Sequence, residues 1–401
     1  MNKAYIFVTA GHWQLPAIIK AKEMGFYCVA IDSNPDAPGF ALSDKSIVTG
    51  LNDLEKMTKA IDALNLEVCA VLSYCSEVGV FTAAQLRDYY KLGFPGCLEV
   101  SIFLDKSEQR RILDKQGFLN PKWRVFDQPR DVYGDSKLIK YPMVVKPIDS
   151  SGSRGVSVVN SADDLNKAAE IAFIHSKSKK IIVEQFINGN EYTVEVAAQK
   201  GNIQVLLVTK KIKISTEIKT VASELWSVNP GEKDFQQLSE LATKVFKTFG
   251  LVKGVGHLEA IKGKDGNFYV VEAAIRGGGF NLANKMVKTV TGFDYCQWCV
   301  DTEADVECNE KIFFYKPTVL FFQPSEEGLL QNVSGIQEAN LIPEVHVEQL
   351  LETGRAISKA ISDSDRVYSA IVSADSSVNL VKKKNLIQSI VKVDYQAAGG
   401  Q

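Results

Sequence analysis

No uninterrupted apolar stretch in this chain approaches the roughly 18 residues that a membrane-crossing helix requires. The opening MNKAYIFVTAGHWQ runs from a short apolar strand straight into a turn, without a cleavage-type segment. A soluble, cytoplasmic protein with no membrane partner is expected. An excess of one charge is also missing, since 46 basic and 48 acidic side chains leave a net charge of −2. The short basic clusters at Lys177 to Lys180 and Lys382 to Lys384 lie among acidic residues and read as solvated faces, so no nucleic-acid partner is expected. Paired cysteines are lacking: seven, an odd number, are scattered along 401 residues, which fits reduced thiols better than a disulfide frame. Cys296 and Cys299 form one C-x-x-C, but no second pair or histidine cluster accompanies it, and FDYCQWCVD reads as a core-facing amphipathic helix. Two nucleotide fingerprints are absent as well. The first turn is TAGHWQLP and not G-x-G-x-x-G, which argues against a dinucleotide dehydrogenase and leaves Asp32 little weight as a ribose ligand. The one Ser/Gly-rich loop follows its lysine, whereas a P-loop precedes it.

What is present is ample core material, since 45% of residues are hydrophobic and the length suggests two or three domains. Residues 4–8 (AYIFV) read as a strand, Pro16 to Met24 as a helix, Tyr27 to Asp32 as a strand, LEKMTKAIDAL as a helix and residues 68–73 as a strand. This alternation predicts a parallel sheet with crossover helices, a Rossmann-like half-domain. The turn at Gly11 and His12 is either a helix start where an anionic group docks or a simple surface turn. Near residue 94 a linker leads to two helices, the second opened by Asp105-Lys106 and ending near Gly117. From 138 to 208 the chain turns to hairpins, with Gly-Asn turns at 189–190 and 201–202 and a helix from Asp163 to Ser176. A helix from Asp234 to Phe249 and a hairpin turned by Asp265-Gly266 follow. Short strands, a Gly354-Arg355 turn and a helix near 377–391 close the chain.

The most telling stretch is MVVKPIDSSGSRGVSVV, residues 143–159. Val144, Val145, Val156, Val158 and Val159 bound it, so it reads as a hairpin with Asp149 to Gly155 as its loop. Gly152 and Gly155 free the backbone, which lets amide N–H groups and the hydroxyls of Ser150, Ser151 and Ser153 face phosphate oxygens, and Arg154 adds a fixed charge. Alone, the loop is either a phosphate grip or an ordinary surface hairpin. Across the Asp265-Gly266 turn, Glu259 and Glu272 come within reach of one another. Two such carboxylates need a cation, and hard oxygen ligands suit Mg²⁺ shared with nucleotide phosphates; cross-strand surface charge is the alternative. Arg276, followed by Gly277, Gly278 and Gly279, is suited to stabilising phosphoryl or oxyanion charge.

Lys106, VVKP with SSGSRG, VEQFINGNE, HLEA and VVEAAIRGGG occur in one order, and over about residues 4 to 300 this set closely resembles the ATP-grasp superfamily. The first domain is similar to the biotin-carboxylase-like domain that precedes the ATP-grasp fold in purine-pathway carboxylate ligases and L-amino-acid ligases. The resemblance implies a mixed α/β and α+β chain. A Rossmann-like domain would span 1–98, an ATP-grasp domain 99–311 with its lid at about 121–208, a small β-rich α+β subdomain 312–395, and a disordered tail 396–401. It further implies ATP and Mg²⁺, with Mn²⁺ able to substitute. Lys106 and Lys146 match the lysines that hold the α- and β-phosphates, and Ser151, Gly152, Ser153, Arg154 and Gly155 match the loop that closes over the triphosphate. Glu184, Gln185, Phe186 and Ile187 match the hinge beside adenine, and Glu191 the ribose ligand. Glu259 and Glu272 match the metal carboxylates, while Arg276, with Lys146, matches the catalytic cations at the reacting acyl phosphate. Many members carry Asn two residues after the second carboxylate, where this chain has Ala274, so one metal or two stays open. His257 matches a histidine frequent in the carboxylase-like branch, or is a packed strand residue.

The chemistry so implied is activation of a carboxylate as an acyl phosphate and its capture by an amine, with release of ADP and phosphate. Its partners are a small carboxylate and an amine, and since related enzymes are often dimers a homodimer is an open expectation. Gly11, His12, Glu77, Glu224, Arg276, Gly277 and Gly278 are the substrate-side candidates, with Glu224 gripping an amine or hydroxyl. Two rival readings stand beside this one: a bicarbonate-activating purine-pathway carboxylase acting on aminoimidazole ribonucleotide, and a catalytically inactive ATP-binding module.

Overall fold

Alternate side chains of the first strand are buried on both faces, which requires helices on both sides of its sheet. The computed structural model, which describes residues 3–135, 139–150, 152–213, 222–308, 310–360 and 365–396, shows this arrangement. Strands β1 (Lys3–Val8), β2 (Tyr27–Asp32), β3 (Lys45–Val48) and β4 (Glu67–Leu72) form a parallel sheet in the order β3-β2-β1-β4. Ala4, Ile6 and Val8 pack with Met57, Ile61 and Leu86 of the helices on one face, and Tyr5 and Phe7 pack with Ala17 and Ile18 on the other. Strand β3 goes unread in the sequence because only Ile47 of KSIV is buried. Asp32 serves structure here: its carboxylate accepts from Ala10 N at 2.7 Å and Asn34 N at 2.9 Å, fixing the turn after β1.

Strands β5 (Trp123–Phe126), β6 (Met143–Pro147), β7 (Ser157–Val159) and β8 (Ile181–Gln185) form a separate antiparallel sheet in the order β5-β8-β6-β7. The Leu165–His175 helix covers it through Leu165, Ala168, Ala169 and Ala172. In the β6–β7 hairpin Met143 faces Val159 and Val145 faces Ser157.

The largest sheet has eight strands. It comprises β9 (Gly189–Gln199), β10 (Asn202–Lys213), β11 (Ala222–Ser227), β12 (Gly254–Gly263), β13 (Phe268–Ala274), β14 (Thr318–Pro324), β16 (Val345–Gln349) and β18 (Arg366–Ser373), ordered β13-β12-β9-β10-β11-β14-β18-β16. Strands β15 (Gly328–Ser334), β17 (Ala356–Ile357) and β19 (Lys392–Gln396) make a small sheet at the C-terminal end.

Three expectations change. The Gly189-Asn190 pair is no hairpin turn but the start of β9, where the chain leaves the small antiparallel sheet for the large one, so the lid sheet ends at Gln185 and not near 208. Gly189 is required there, since a Cβ would lie 2.0 Å from Lys262 O of the neighbouring strand. The segment from 312 carries the small β-sheet expected of it and in addition lends β14, β16 and β18 to the large sheet. Gln396, assigned to a tail, pairs with Leu329 in β19, and residues 397–401 lie outside the described residues. The FDYCQWCVD segment is a helix (Tyr295–Glu303) whose buried positions include Asp301, Thr302 and Glu303 besides Cys296 and Cys299, so it is enclosed and not amphipathic. Arg87 satisfies Glu303 at 2.6 Å, and Tyr5 donates to Val300 O at 3.3 Å, tying the parallel sheet to this central helix.

Candidate active site

A cavity of about 380 Å³ opens between the β5–β8 sheet and the large sheet. Its floor begins with the Lys106–Lys115 helix. Asp105 caps that helix by accepting from Ser107 N at 2.8 Å and Glu108 N at 3.2 Å, which fixes where Lys106 stands. Lys106 Nζ donates to Ser150 O at 2.7 Å and pairs with Glu272 at 3.0 Å, joining helix, loop and β13. One helical turn later Arg110 projects from the same face, fully buried, with Nε 2.9 Å from Glu184 Oε1. No motif pointed to Arg110; its only sequence signal is the (i, i+4) spacing from Lys106.

Lys146 on β6 reaches the other oxygen of Glu184 at 2.8 Å. Burial alone would raise the Glu184 carboxyl, but Arg110 and Lys146 together hold it down at about 2, so it is an anion at any physiological pH. Lys146 shares that anion with Arg110, and burial therefore pushes its ammonium below the ordinary value. Lys106 is equally buried, yet Glu272 and Glu77 hold it above. Gln185, Phe186 and Ile187 follow along the cavity wall, with Val144, Val156, Val158 and Ile261 supplying apolar surface. Glu184 is thus committed to two cations, beside the hinge and not free within it.

The predicted carboxylate pair is opposed in register, Glu259 of β12 facing Glu272 of β13, with a bulge immediately after Glu259. Lys211 lies 3.3 Å from Glu259 and 3.7 Å from Glu191, and Lys213 also pairs with Glu191. His257, two residues before Glu259, places Nε2 3.5 Å from that carboxylate, and Nδ1 bonds to the fully buried Glu195. Burial would lower the imidazole, but Glu195 and Glu259 raise it to about 9, so this ring is a cation at neutral pH. Among the described residues no three metal-type ligands cluster, and Ala274, which faces His257 across the strands, offers no oxygen. Two opposed carboxylates, currently neutralised by lysines, fit a Mg²⁺ ion whose remaining shell comes from phosphate oxygens and water.

At the far side Arg276 holds Glu77 through Nε at 3.0 Å and Nη2 at 2.6 Å, bridging the loop after β4 to the glycine run after β13. Gly278 N donates to Glu195 Oε2 at 2.9 Å, and a Cβ there would come 2.8 Å from Glu195 Oε1, so the run needs glycine for its close approach.

Of the candidates, Glu77, Lys106, Lys146, Gly152, Ser153, Glu184, Gln185, Phe186, Ile187, Glu191, Glu259, Glu272, Arg276 and Gly278 line this one cavity. Others do not. Ser151 lies outside the described residues. Arg154 is exposed, and Gly155 packs under Pro147 and His175. Gly277 is wedged against Tyr295 and Ala283. His12 is exposed in a short 3₁₀ turn beside Gly11; its neighbour Trp13 meets the cavity residue Phe280 edge-on at 6.4 Å. Glu224 is turned away: strand alternation gives Leu225 to the cavity and leaves Glu224 with Trp226, whose indole donates at 2.6 Å, and with Lys384. Arg366, from β18, lines the cavity although no motif marks it.

Residues 139–284 match the model of the ATP-grasp domain family. The chain is 27% identical over 190 residues to a formate-dependent phosphoribosylglycinamide formyltransferase of Methanocaldococcus jannaschii, a match covering 46% of this chain and 48% of the relative. It thus spans about half the length of the first curated relatives it matches. Its fold is that of the L-amino acid ligase from Bacillus licheniformis, with a TM-score of 0.82 at 19% identity, covering 98% of this chain and 99% of that one. The N5-carboxyaminoimidazole synthetase from Staphylococcus aureus, solved with ADP, superposes with a TM-score of 0.73 at 15% identity over 96% of each chain.

Proposed function

We propose that this chain, which carries an ATP-grasp domain, is an ATP-dependent ligase that activates a carboxylate as an acyl phosphate and joins it to an amine. The observation that carries this reading is the convergence in one cavity of the opposed Glu259 and Glu272, the buried cations Lys106 and Lys146, and the backbone of the β6–β7 loop. In the first step a carboxylate oxygen of the substrate attacks the γ-phosphorus of ATP, the bond to the β-phosphate oxygen breaks, and ADP leaves. In the second the amine nitrogen attacks the acyl carbon, inorganic phosphate departs, and the nitrogen gives up a proton. A Mg²⁺ ion held by Glu259 and Glu272 would neutralise phosphate charge. Lys106 and Lys146, paired with Glu272 and Glu184, would hold the nucleotide phosphates, and Arg276, paired with Glu77, the acyl phosphate. Gly152 and Ser153 sit in the loop that would exclude water from the intermediate. The apolar strip with Gln185, Phe186 and Ile187 would receive adenine, and Glu191 the ribose. A homodimer is the assembly we expect, read by light scattering.

The second reading is a purine-pathway enzyme, favoured by the phosphoribosyl substrate named in its relative from M. jannaschii. Calorimetric titration with Mg-ATP, followed by ADP release across pooled carboxylates with amino acids, aminoimidazole ribonucleotide with bicarbonate, and glycinamide ribonucleotide, separates the readings. The ligase account expects ADP release that depends on both a carboxylate and an amine. Nucleotide binding without stimulated ADP release would instead mark an inactive module.

A further inference from the structure

We infer that Gln14 is a positioning residue for the acyl phosphate step: by clamping the backbone of Tyr74 it sets where Glu77 stands, and through Glu77 it sets the guanidinium of Arg276. This rests on the ligase reading above, which gives Arg276 to the acyl phosphate, and adds to it a residue outside the cavity lining.

Gln14 closes the short 3₁₀ turn after β1, its N–H donating to Gly11 O at 2.9 Å, immediately before the Leu15–Glu23 helix. The residue is only 1% exposed. Its side-chain oxygen accepts from Tyr74 N at 2.9 Å and its Nε2 donates to Tyr74 O, so one side chain satisfies both backbone groups of a buried residue 60 positions away. A carboxamide offers a donor and an acceptor side by side, which this double bond requires. An aliphatic side chain of the same length would leave Tyr74 N and O unpaired in the interior, and the loop that carries them would have to move to reach other partners or water.

That loop joins β4 to the Val80–Tyr90 helix. Within it Cys75 is held at φ +52°, a left-handed conformation that a residue other than glycine keeps only where its surroundings over-determine it. Those surroundings are the Gln14 clamp, a bond from Ser73 Oγ to Ser76 O at 2.8 Å, and a bond from the Tyr74 hydroxyl to Asn284 Oδ1 at 2.8 Å. Two residues beyond Cys75, a single oxygen of Glu77 accepts from both Nε and Nη2 of Arg276, at 3.0 and 2.6 Å. A guanidinium gripped through two adjacent donors takes its position from the carboxylate. Cys75, Glu77 and Arg276 all line the cavity, so a shift of the loop reaches the reacting end directly. The nucleotide end, with Lys146 on β6 and Glu184 on β8, belongs to a different sheet and shares no hydrogen bond with Gln14 among the described residues. Loss of the clamp therefore falls on the chemistry and spares nucleotide binding.

The test measures ADP release from Mg-ATP, with pooled amino acids as carboxylates and hydroxylamine as the amine, beside calorimetric binding of Mg-ATP, on the full chain and its variants. Gln14→Met removes both hydrogen bonds at nearly constant size, Gln14→Glu keeps the acceptor for Tyr74 N, and Glu77→Ala removes the link to Arg276. Gln14→Met should lower the maximal rate by about tenfold to a hundredfold while Mg-ATP affinity stays within about threefold, and Gln14→Glu should lower the rate in the same direction. Because Gln14 acts through Glu77, Gln14→Met combined with Glu77→Ala should be no slower than Glu77→Ala alone, within about twofold. A maximal rate unchanged in both Gln14 variants overturns the inference. So does a Mg-ATP affinity that falls in step with the rate, a double variant whose loss is the product of the two single losses, or failure of both Gln14 variants to fold, each of which leaves Gln14 a residue of general stability. All of these leave the ligase reading standing as long as the unmodified protein releases ADP. No carboxylate-dependent ADP release from the unmodified protein overturns the ligase reading and the inference together.

Discussion

Arg110 supports the Glu184 and Lys146 end of the cavity without lining it. Its Nε and Lys146 Nζ take one oxygen each of Glu184, at 2.9 and 2.8 Å in a fully buried cluster. Arg110→Met leaves that carboxylate short of one cation, and loss of one partner from a buried pair costs about 3–5 kcal/mol; a urea titration should show that drop. The sign of the pH response follows from the same carboxyl. Its folded value of about 2 lies below the ordinary 4.5, so folding favours the anion. The resulting stability is complete above pH 4.5 and is lost as the pH falls toward 2. Glu184→Gln should therefore give a less stable protein at neutral pH whose stability changes less steeply across that window. On β13, Glu272→Gln should raise the Mg²⁺ concentration for half-maximal ADP release by more than about tenfold without altering the circular dichroism spectrum. Lys106, Lys146, Glu259 and Glu272 were legible because each belongs to a short motif with its own turn or glycine spacing. Arg110 and Arg366 were not, since their partners stand 74 residues and 144 residues away along the chain. Glu224 was misassigned for a related reason: which of two alternating strand residues faces a cavity depends on neighbours that the strand itself does not encode.

At the scale of elements, the β6–β7 and β12–β13 hairpins were readable because valine-rich flanks and a tight turn are local signals, while the register that sets Glu259 opposite Glu272 comes from the fold. Sheet membership is not local. The Gly189-Asn190 pair has the composition of a turn, and it marks instead the passage between two sheets. In the β6–β7 loop, Gly155 has φ +74°, and a Cβ would lie 2.9 Å from His175 Cβ and 3.0 Å from Pro147 Cγ. Gly155→Ala must strain the backbone and displace the Leu165–His175 helix from the hairpin, at a cost of roughly 1–3 kcal/mol. Hydrogen exchange should show faster exchange confined to residues 143–175, with the β9–β13 strands unchanged.

For the whole molecule, the parallel sheet followed from alternation and the antiparallel hairpins from their turns, but the division of those hairpins between a lid sheet and a large sheet, and the interlocking of the parts, did not. Strand β14 pairs with β11 on one side and β18 on the other, so the segment from 312 completes the same sheet that carries the carboxylates. Buried Leu225, Leu320, Phe322 and Ile371 share one core with Tyr5, Phe7 and the Tyr295–Glu303 helix. Truncation after residue 311 should consequently yield insoluble or unfolded chain, where an independent C-terminal unit would leave a stable remainder; near-ultraviolet circular dichroism reads the difference. The central claim is that this cavity makes an acyl phosphate, and hydroxylamine traps that species as a hydroxamate. With Mg-ATP, hydroxylamine and a pool of amino acids, the account predicts hydroxamate accumulating in step with ADP, both needing more than about tenfold more Mg²⁺ in Glu272→Gln. Mg-ATP binding at the cavity with no carboxylate-dependent hydroxamate or ADP would contradict it.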